Sequence, residues 1–339
     1  MLNWDNVVKY LIYQIRMQKG AKMKEKLDII IDADPGVDDA IAIMYALNSN
    51  NFNVKLICSA GGNAPIEDIT ANAIFLTELF EKEIPVAQGA KTPLKRPAHY
   101  AVGAQGKFGF GNFTYNRNAL KHKPIEKEAS EAMYDVLMQS KKPITILSVG
   151  PMTNIAHLLL NHPDCKKKIK QIVFESGTKD KIFGIPYQSF NVGYDPESAE
   201  IVFASGVPIV MVPMDLGHFS FFDKEDIKRI QKSNYIGKIY AKMFSGYKDH
   251  HVGELGAATH DATAIFYLAH PEFFKTEKVF IGVKYFKDDE LDFGYINTNF
   301  DAKPNATICM DMDIDNFKFH MFNTFENKLD VVKHKTNNA

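Results

Sequence analysis

The sequence predicts an α/β protein with a mostly parallel, open sheet that helices flank in a Rossmann-like arrangement, and with an antiparallel edge. Apolar runs such as 27–33 alternate with segments of helical spacing, as parallel strands alternate with their crossover helices. Several of these runs end in acidic, glycine or proline residues, which are typical of strand-to-helix turns. From Lys278 the chain becomes strand-rich, over 279–286, 293–298 and 307–312, and then ends in a helix, which indicates the antiparallel edge.

The elements follow in order from Leu27. The run 27–33 is mostly apolar and leads into acidic residues and Pro-Gly, as expected of a buried parallel strand followed by a turn, and 39–47 follows with the apolar spacing of a helix. The same pattern predicts strands over 54–60, 84–87, 144–149, 172–174 and 209–214. It predicts helices over 67–81, 125–140 and 196–204, and a further helix that opens at Thr153-Asn154.

The segment 95–124 is a long loop rich in glycine and aromatic residues, and loops of this length are usually functional or mobile. No break in composition and no linker divides the rest of the chain. We therefore predict a single catalytic domain over 24–330, an N-terminal extension over 1–23 that is helical or disordered, and a polar tail over 331–339.

The composition limits the classes of partner. Forty basic and 41 acidic residues leave a net charge of −1, which argues against the basic face that non-specific nucleic-acid binding needs. The short basic run 166–170 is interpreted as a solvated helix end. No stretch approaches the ~20 apolar residues of a membrane span, so we expect neither a nucleic-acid nor a membrane partner. The three cysteines lie far apart without metal spacing or a disulfide framework, which favours a reducing, cytoplasmic location.

Four aspartates lie within eight residues at the first predicted strand–helix turn: Asp32, Asp34, Asp38 and Asp39. This turn lies at the carboxyl edge of the sheet, where open α/β sheets bind ligands. Four like charges there are costly unless a cation compensates them, and carboxylate oxygens suit Ca²⁺ or Mg²⁺. The alternative is that Asp38 and Asp39 only cap the helix, which accounts for one or two of the four acids.

The acidic turn and the motifs after it resemble those of the inosine–uridine-preferring nucleoside hydrolases. The resemblance covers roughly residues 27–325, in the family's order and approximate spacing. After Asp-x-Asp-Pro-Gly-x-Asp-Asp, the matching motifs are Gly61-Gly62-Asn63, Gly150-Pro151-Met152-Thr153-Asn154, Phe190-Asn191, Asp195-Pro196 and His260-Asp261.

The resemblance implies a Ca²⁺ site and a nucleophile. Asp34, Asp39 and Asp261 would hold the ion, together with the backbone carbonyl of Val149. Asp32 would not bind the ion itself but would contact the residues that do. A water on the calcium would attack the sugar after it loses its proton to Asp34.

The resemblance also implies how the nucleoside is bound. Asp38 would hold the ribose 2′-hydroxyl, and Asn63 and Asn191 would face the sugar. A carboxylate-rich site suits this chemistry because glycosidic cleavage passes through an oxocarbenium-like sugar. His260 would give a proton to the leaving base, since its ordinary pKa lies near neutrality.

The aromatic residues between 235 and 247 are at helical spacing, which favours core packing. Tyr247 alone lies near the position of a base-contacting tyrosine in the family. We therefore predict that Tyr247 contacts the substrate. His250 and His251, in the same segment, receive no role.

Some positions depart from the family's pattern. Ser189 replaces a sugar-binding glutamate, Phe183 and Glu175 replace an asparagine and a methionine that contact ribose, and Gln105 replaces a loop histidine. The predicted calcium ligands therefore match the family's pattern better than the predicted ribose contacts do. Because Glu175 ends a predicted strand at the same edge as the aspartates, we predict that it binds sugar hydroxyls in place of the missing glutamate. The alternative is a solvated carboxylate.

The preferred function is calcium-dependent hydrolysis of the N-glycosidic bond of a ribonucleoside, in an enzyme that self-associates as the family's dimers and tetramers do. One alternative is a non-catalytic or weakly active ligand-binding protein on the same fold, which the departures at Ser189, Phe183 and Glu175 would suit. Another is a phosphohydrolase with an Asp-x-Asp nucleophile, which the sequence Pro35-Gly36-Val37 after Asp34 does not fit.

Overall fold

The computed structural model describes residues 25–178, 189–250, 252–287 and 292–326. The predicted extension over 1–23, the tail over 331–339 and Phe183 therefore lie outside the described residues. The predicted extent of the catalytic domain, 24–330, stays a prediction.

Eleven strands are present in the described ranges. Nine of them form one sheet, in the order β10-β9-β11-β6-β5-β4-β1-β2-β3, and the other two form a small ribbon, β7-β8. In chain order they are β1 Leu27–Ala33, β2 Phe52–Ser59, β3 Val86–Gln88, β4 Ile144–Ser148, β5 Ile169–Glu175, β6 Ile209–Val212, β7 Phe222–Asp223, β8 Gly256–Ala257, β9 Phe274–Lys287, β10 Asp292–Asn299 and β11 Ala306–Met312.

The sheet is parallel from β3 to β11 and antiparallel at its β9 and β10 edge. This confirms the predicted fold class. The lengths of the connections explain this arrangement. Parallel neighbours need a long crossover connection, whereas the short link between β9 and β10 permits antiparallel pairing. Among the described residues, no helix has the length and apolar character needed to cross a membrane.

Helices cover both faces of the sheet. Within the described residues they are α1 Val37–Asn48, α2 Ile66–Leu79, α3 Val102–Gln105, α4 Ala129–Gln139, α5 Thr153–Asn161, α6 Phe190–Tyr194, α7 Pro196–Phe203, α8 Met214–Phe219, α9 Lys224–Ser233, α10 Tyr235–Phe244, α11 His260–Ala269 and α12 Ile314–Glu326. Short 3-10 turns lie at Arg117–Ala119, Pro163–Lys168, Gly253–Leu255 and Pro271–Phe273.

The interior strand β1 shows how the two faces of the sheet pack against different helices. Its side chains alternate, so that Ile29 and Ile31 pack into one core, with α1, α10, α11 and α12, while Ile30 packs into the other, with α4, α5 and α7. All three isoleucines are fully buried. A strand covered on both faces needs apolar side chains on both, and the run of three isoleucines is the pattern that predicts it.

Some predicted boundaries are corrected. β5 begins at Ile169 rather than at 172, because Ile169 already pairs with Ile144 of β4. β6 ends at Val212 rather than at 214, because Pro213 lacks the N–H needed to extend the ladder and instead precedes α8. The predicted loop 95–124 contains the short helix α3 and a 3-10 turn.

The strand order places a topological switch beside β1. From β1 the chain proceeds outward to β2 and β3, and then returns to β4 on the other side of β1. The loops that follow β1 and β4 therefore separate and leave a crevice outside the carboxyl ends of the two strands. Open α/β sheets bind their ligands in such a crevice.

Candidate active site

A cavity of about 670 Å³ lies at this crevice. Its walls come from loops and helices that lie far apart in the sequence but meet at the carboxyl edge of the sheet. The predicted site residues among its walls are Asp38, Asn63, Val149, Glu175, Asn191, Tyr247, His260 and Asp261. Asp34 and Asp39 are fully buried beside them.

In the first turn of α1, the carboxylate of Asp39 accepts hydrogen bonds from backbone N–H groups that precede the helix. One oxygen of Asp39 accepts a hydrogen bond from the N–H of Asp34 (3.2 Å), and the other accepts one from the N–H of Gly36 (3.0 Å). Asp39 thus does cap its helix, as the alternative interpretation held. Asp38 does not share this role, because its carboxylate faces the cavity.

Glycines make the space that the Asp34 carboxylate occupies. A Cβ at Gly62 would lie 2.1 Å from Oδ2 of Asp34, and a Cβ at Gly150 would lie 2.8 Å from Oδ1. The N–H of Asn63 donates to Oδ2 of Asp34 at 2.7 Å. Oδ1 of Asp34 is buried and has no hydrogen-bond partner in the described part of the chain. Gly62, Asn63 and Gly150 from these two motifs therefore fix the position of this one side chain.

Asp261 joins the acidic turn from the first turn of α11. One carboxylate oxygen from each of Asp38, Asp39 and Asp261 lies within 4.8 Å of the others. Burial, together with the charge of Asp38, raises the pKa of Asp39 to about 7. Burial and the charge of Asp39 raise the pKa values of Asp34 and Asp261 well above their ordinary range.

These observations match a cation site. Buried carboxylates this close together resist ionisation unless a positive charge compensates them. The buried, unpaired oxygen of Asp34 and the all-oxygen donor set fit a hard divalent cation. The acidic cluster is therefore a place where a metal ion can be held.

Two predicted residues, Val149 and Asn191, contact each other. Val149 follows β4, and its carbonyl accepts a hydrogen bond from Nδ2 of Asn191 at 2.9 Å. The N–H of Val149 donates to the carbonyl of Asp32, which holds the β4 loop against the end of β1. The predicted roles of Val149 as a metal ligand and of Asn191 as a sugar contact stay predictions.

The Asp32 side chain is fully buried and contacts Asn154, and its predicted role in supporting the metal ligands stays a prediction. Its Oδ1 accepts from Nδ2 of Asn154 at 2.8 Å, and Asn154 also binds the carbonyl of Ser59 and the N–H of Ala90. Burial raises the pKa of Asp32 to about 7, although the hydrogen bond from Asn154 opposes this. Asn154 thus joins three loops at the carboxyl edge of the sheet.

Both oxygens of Asp38 are held by side chains from elsewhere in the chain. Nε2 of Gln105 donates to Oδ1 at 2.9 Å, and the hydroxyl of Tyr247 donates to Oδ2 at 3.1 Å. Oε1 of Gln105 in turn accepts from the N–H of Val37 at 2.8 Å. In the sequence, Gln105 stands out only as a departure from the family's pattern. In the structure, the side-chain amide of Gln105 holds the carboxylate of Asp38 in place.

His260 packs against two residues that the sequence analysis did not single out, Asp249 and His218. Nε2 of His260 lies 3.1 Å from Oδ2 of Asp249, and its ring lies edge-on to that of His218, with centroids 4.6 Å apart. Burial lowers the pKa of His260, but Asp249, Glu175 and Asp38 together raise it to about 9. The sequence carried no signal for this group, because its members come from three separate segments.

Glu175 is buried at the end of β5, and only 5% of its surface is exposed. This excludes the predicted alternative of a solvated carboxylate. Oε1 of Glu175 has no hydrogen-bond partner among the described residues, and burial, which outweighs the opposing charge of His260, raises the pKa of Glu175 to about 8. The hydroxyl of Ser189 forms a hydrogen bond with the hydroxyl of Ser176, and this contact holds Ser189 beside Glu175.

Among the remaining aromatic residues of the 235–247 segment, core packing is confirmed for Tyr240 and Phe244. Tyr240 is fully buried and donates to the carbonyl of Ala40 at 2.7 Å. Phe244 packs against Phe222 in the same core. Tyr235 is exposed. Only Tyr247 of the four reaches the cavity.

The model of the family described as inosine-uridine preferring nucleoside hydrolase matches residues 29–319, which is most of the chain. The chain belongs to this family. It is an N-glycosyl hydrolase, and the predicted family and enzyme class are confirmed. The predicted cytoplasmic location and self-association stay predictions.

Curated relatives and solved structures agree with this membership. The chain is 33% identical over 300 residues to the non-specific ribonucleoside hydrolase RihC of Salmonella enteritidis and to that of Salmonella typhi, covering 87% of this chain and 96% of each relative. Its fold is similar to that of a purine-preferring ribonucleoside hydrolase from Gardnerella vaginalis (TM-score 0.79, 24% identity, covering 90% of this chain and all of that one). It is also similar to the plant nucleoside hydrolase PpNRh1 (TM-score 0.77, 24% identity, covering 89% and 99%).

Proposed function

We propose that this nucleoside hydrolase cleaves the N-glycosidic bond of ribonucleosides in a Ca²⁺-dependent reaction that releases ribose and free base. The observation that carries the proposal is the buried group of Asp34, Asp38, Asp39 and Asp261, of which Asp38 and Asp261 line the cavity. The curated relatives, named ribonucleoside hydrolases, support the substrate class.

The ion would be held by Asp34, Asp39, Asp261 and the carbonyl of Val149. When bound, Ca²⁺ would position a water molecule and lower the pKa of that water. Calcium is preferred to magnesium because it accepts several carboxylates and backbone carbonyls in irregular geometry, whereas Mg²⁺ usually keeps several of its waters. Asp34, whose Oδ1 has no hydrogen-bond partner among the described residues, would also accept the proton from the attacking water.

The chain's own residues bind the sugar and stabilise the charge that develops on it. Asp38, oriented by Gln105 and Tyr247, accepts a hydrogen bond from the ribose 2′-hydroxyl, and Asn63 and Asn191 line the same cavity. The carboxylates stabilise the positive charge of the oxocarbenium-like sugar. Tyr247 also forms the wall on which the base packs.

His260 is the proton source for the leaving base. The hydrogen bond to Asp249 orients its ring, and the surrounding carboxylates favour its protonated form. Nε2 of His260 faces Oδ2 of Asp249 at 3.1 Å, so transfer of a proton from Nε2 to a base requires the contact with Asp249 to lengthen when substrate binds. Catalytic hydrogen bonds commonly rearrange in this way between the free enzyme and the complex.

The proposed function is tested with a panel of nucleosides: inosine, guanosine, adenosine, uridine and cytidine. We expect free base and ribose to appear in equal amounts with Ca²⁺, to stop after treatment with a chelator, and to return when Ca²⁺ is restored. Restoring Mg²⁺ instead is the matched control for the identity of the ion. Nucleoside monophosphates form the second arm, in which release of phosphate would instead indicate a phosphohydrolase. If no base is released from any nucleoside under single-turnover conditions, the chain is a binding protein.

Glu175 is expected to bind sugar hydroxyls that Ser189 is too short to reach. Its buried, unpaired Oε1 at the cavity wall supports this role. Loss of a charge-assisted hydrogen bond costs about 1.5–3 kcal/mol, so Glu175→Met should lower kcat/KM for ribosides by ~10- to 150-fold. Steady-state kinetics with a riboside and its 2′- and 3′-deoxy analogues measures this loss and identifies the hydroxyl concerned.

The double variant Glu175→Met with Ser189→Glu completes this test. It should recover activity if the carboxylate has moved from one side of the cavity to the other. Glu175→Gln, which keeps the size and a hydrogen-bonding oxygen, should lose less than Glu175→Met. If Glu175→Met turns over ribosides as fast as the parent protein, Glu175 takes no part in sugar binding.

A further inference from the structure

A second group of potential metal ligands lies beside the carboxylate site: His218, Asp249 and His260. One ligand atom from each lies within 4.8 Å of the others. Oδ2 of Asp249 is the centre of the group, 3.1 Å from Nε2 of His260 and 3.9 Å from Nε2 of His218. The three side chains are largely buried, with 11%, 5% and 12% exposed for Asp249, His260 and His218.

The geometry is close to that of a zinc site. Zn²⁺ binds imidazole nitrogens at about 2.0–2.1 Å in tetrahedral geometry, which places neighbouring ligand atoms about 3.4 Å apart. The two measured distances to Asp249 lie on either side of that value, so small side-chain rotations suffice. Asp249 and His260 line the cavity, which leaves a fourth position open toward it.

The surroundings hold these ligands in place. Oδ1 of Asp249 accepts from the N–H of Val252 at 2.8 Å, so Oδ2 is turned toward the two imidazoles. The helices that carry His218 and His260 are joined by a hydroxyl pair, Ser220 and Thr259, at 2.9 Å. Contacts of this kind, which fix a ligand's orientation, are characteristic of metal sites.

Gly217 allows the two rings to meet. A Cβ at this position would lie 2.5 Å from both Cα and Nδ1 of His260. Any side chain there would push α11 away from α8. The close approach of His218 to His260 therefore depends on the absence of a side chain at Gly217.

We propose that His218, Asp249 and His260 form a second metal site, selective for Zn²⁺ and similar transition ions, whose occupation inhibits the enzyme. Two nitrogen donors and one oxygen donor suit such ions, whereas Ca²⁺ prefers the all-oxygen group of Asp34, Asp39 and Asp261. Zn²⁺ at this site coordinates Nε2 of His260 and so removes the proposed proton donor. The inhibition, but not the binding, rests on the proposed function.

Zinc binding is measured first, by calorimetry without nucleoside and with Ca²⁺ at saturation. The unaltered protein should bind one equivalent of Zn²⁺, and Co²⁺ should give the visible absorption of a tetrahedral site. His218→Ala should weaken Zn²⁺ binding by more than about 10-fold, since even supporting residues of metal sites contribute that much. His99→Ala is the matched control, because His99 lines the same cavity outside the group, and it should leave zinc affinity unchanged.

The second measurement is inhibition of base release. Zn²⁺ should inhibit the unaltered enzyme, and His218→Ala should shift the inhibitory concentration upward by the same factor as the affinity. Equal zinc affinity in the two proteins would overturn the site, as would the absence of a tetrahedral Co²⁺ spectrum in the unaltered protein, which needs no variant to fold. Zinc binding without any base release from nucleosides would leave the site standing and contradict the proposed function instead.

Discussion

Asp39→Ala is expected to abolish calcium binding and, with it, the hydrolysis of nucleosides. Both oxygens of Asp39 lie in the buried acidic group, where Asp38 and Asp261 contribute the nearest carboxylates. Without Asp39 a bound cation would lose two of its oxygen ligands. Calorimetric titration with Ca²⁺ measures the loss directly, and circular dichroism checks that the fold persists.

Asp226→Ala is the matched control for this variant. Asp226 occupies the third position of α9 and caps that helix as Asp39 caps α1, but it lies outside the cavity. Loss of a cap costs about 0.5–2 kcal/mol, so Asp226→Ala should melt at a somewhat lower temperature without calcium. In Asp39→Ala, relief of the repulsion from Asp38 offsets the loss of the cap. Only Asp39→Ala should also lose the rise in melting temperature that Ca²⁺ produces. Unchanged calcium affinity in Asp39→Ala would contradict the proposed ligand set.

His260→Ala is expected to slow natural nucleosides by a factor of about 10² to 10⁴, which is the usual contribution of a general acid. A p-nitrophenyl riboside should be affected far less, because its leaving group departs without a proton. The comparison separates proton donation from a general disturbance of the cavity, which would slow both substrates. The measurement is kcat for both substrates with Ca²⁺ at saturation.

His250→Ala is the control for the histidine. His250 lines the same cavity and follows Asp249 directly, but it has no proposed role in the reaction. Whatever its effect, it should act equally on the two substrates. Equal losses on both substrates in His260→Ala would mean that His260 is structural.

Part of the site could be predicted because its signal is local. Asp34 and Asp39 lie within one turn, and the apolar strand before them places that turn at the carboxyl edge of the sheet. The glycines at 62 and 150 belong to recognisable motifs, and the structure gives their physical reason: each leaves room for the Asp34 carboxylate. The sequence also predicts that Glu175 lies at the end of its strand, but it does not decide whether the side chain is buried.

The rest of the site depended on long-range contacts. Gln105 and Tyr247 hold Asp38 across separations of 67 and 209 residues, and neither lies in a local pattern that pairs it with an aspartate. His218 likewise becomes a partner of His260 because α8 and α11 pack together, and Asp249 reaches His260 from the segment between α10 and α11. Residue type alone did not distinguish Asp249 from the other exposed or capping acids.

The sequence by itself determined the alternation of strands and helices, the antiparallel edge and the position of the acidic turn. These features follow from side-chain periodicity and turn chemistry, which act between residues close together in the chain. The tertiary structure alone decided which side chains surround the acidic turn and how buried they are. Burial sets the cost of the clustered charges, and packing sets the distances between their atoms, so the chemistry of this site arises where β1, β4, β5 and α11 meet.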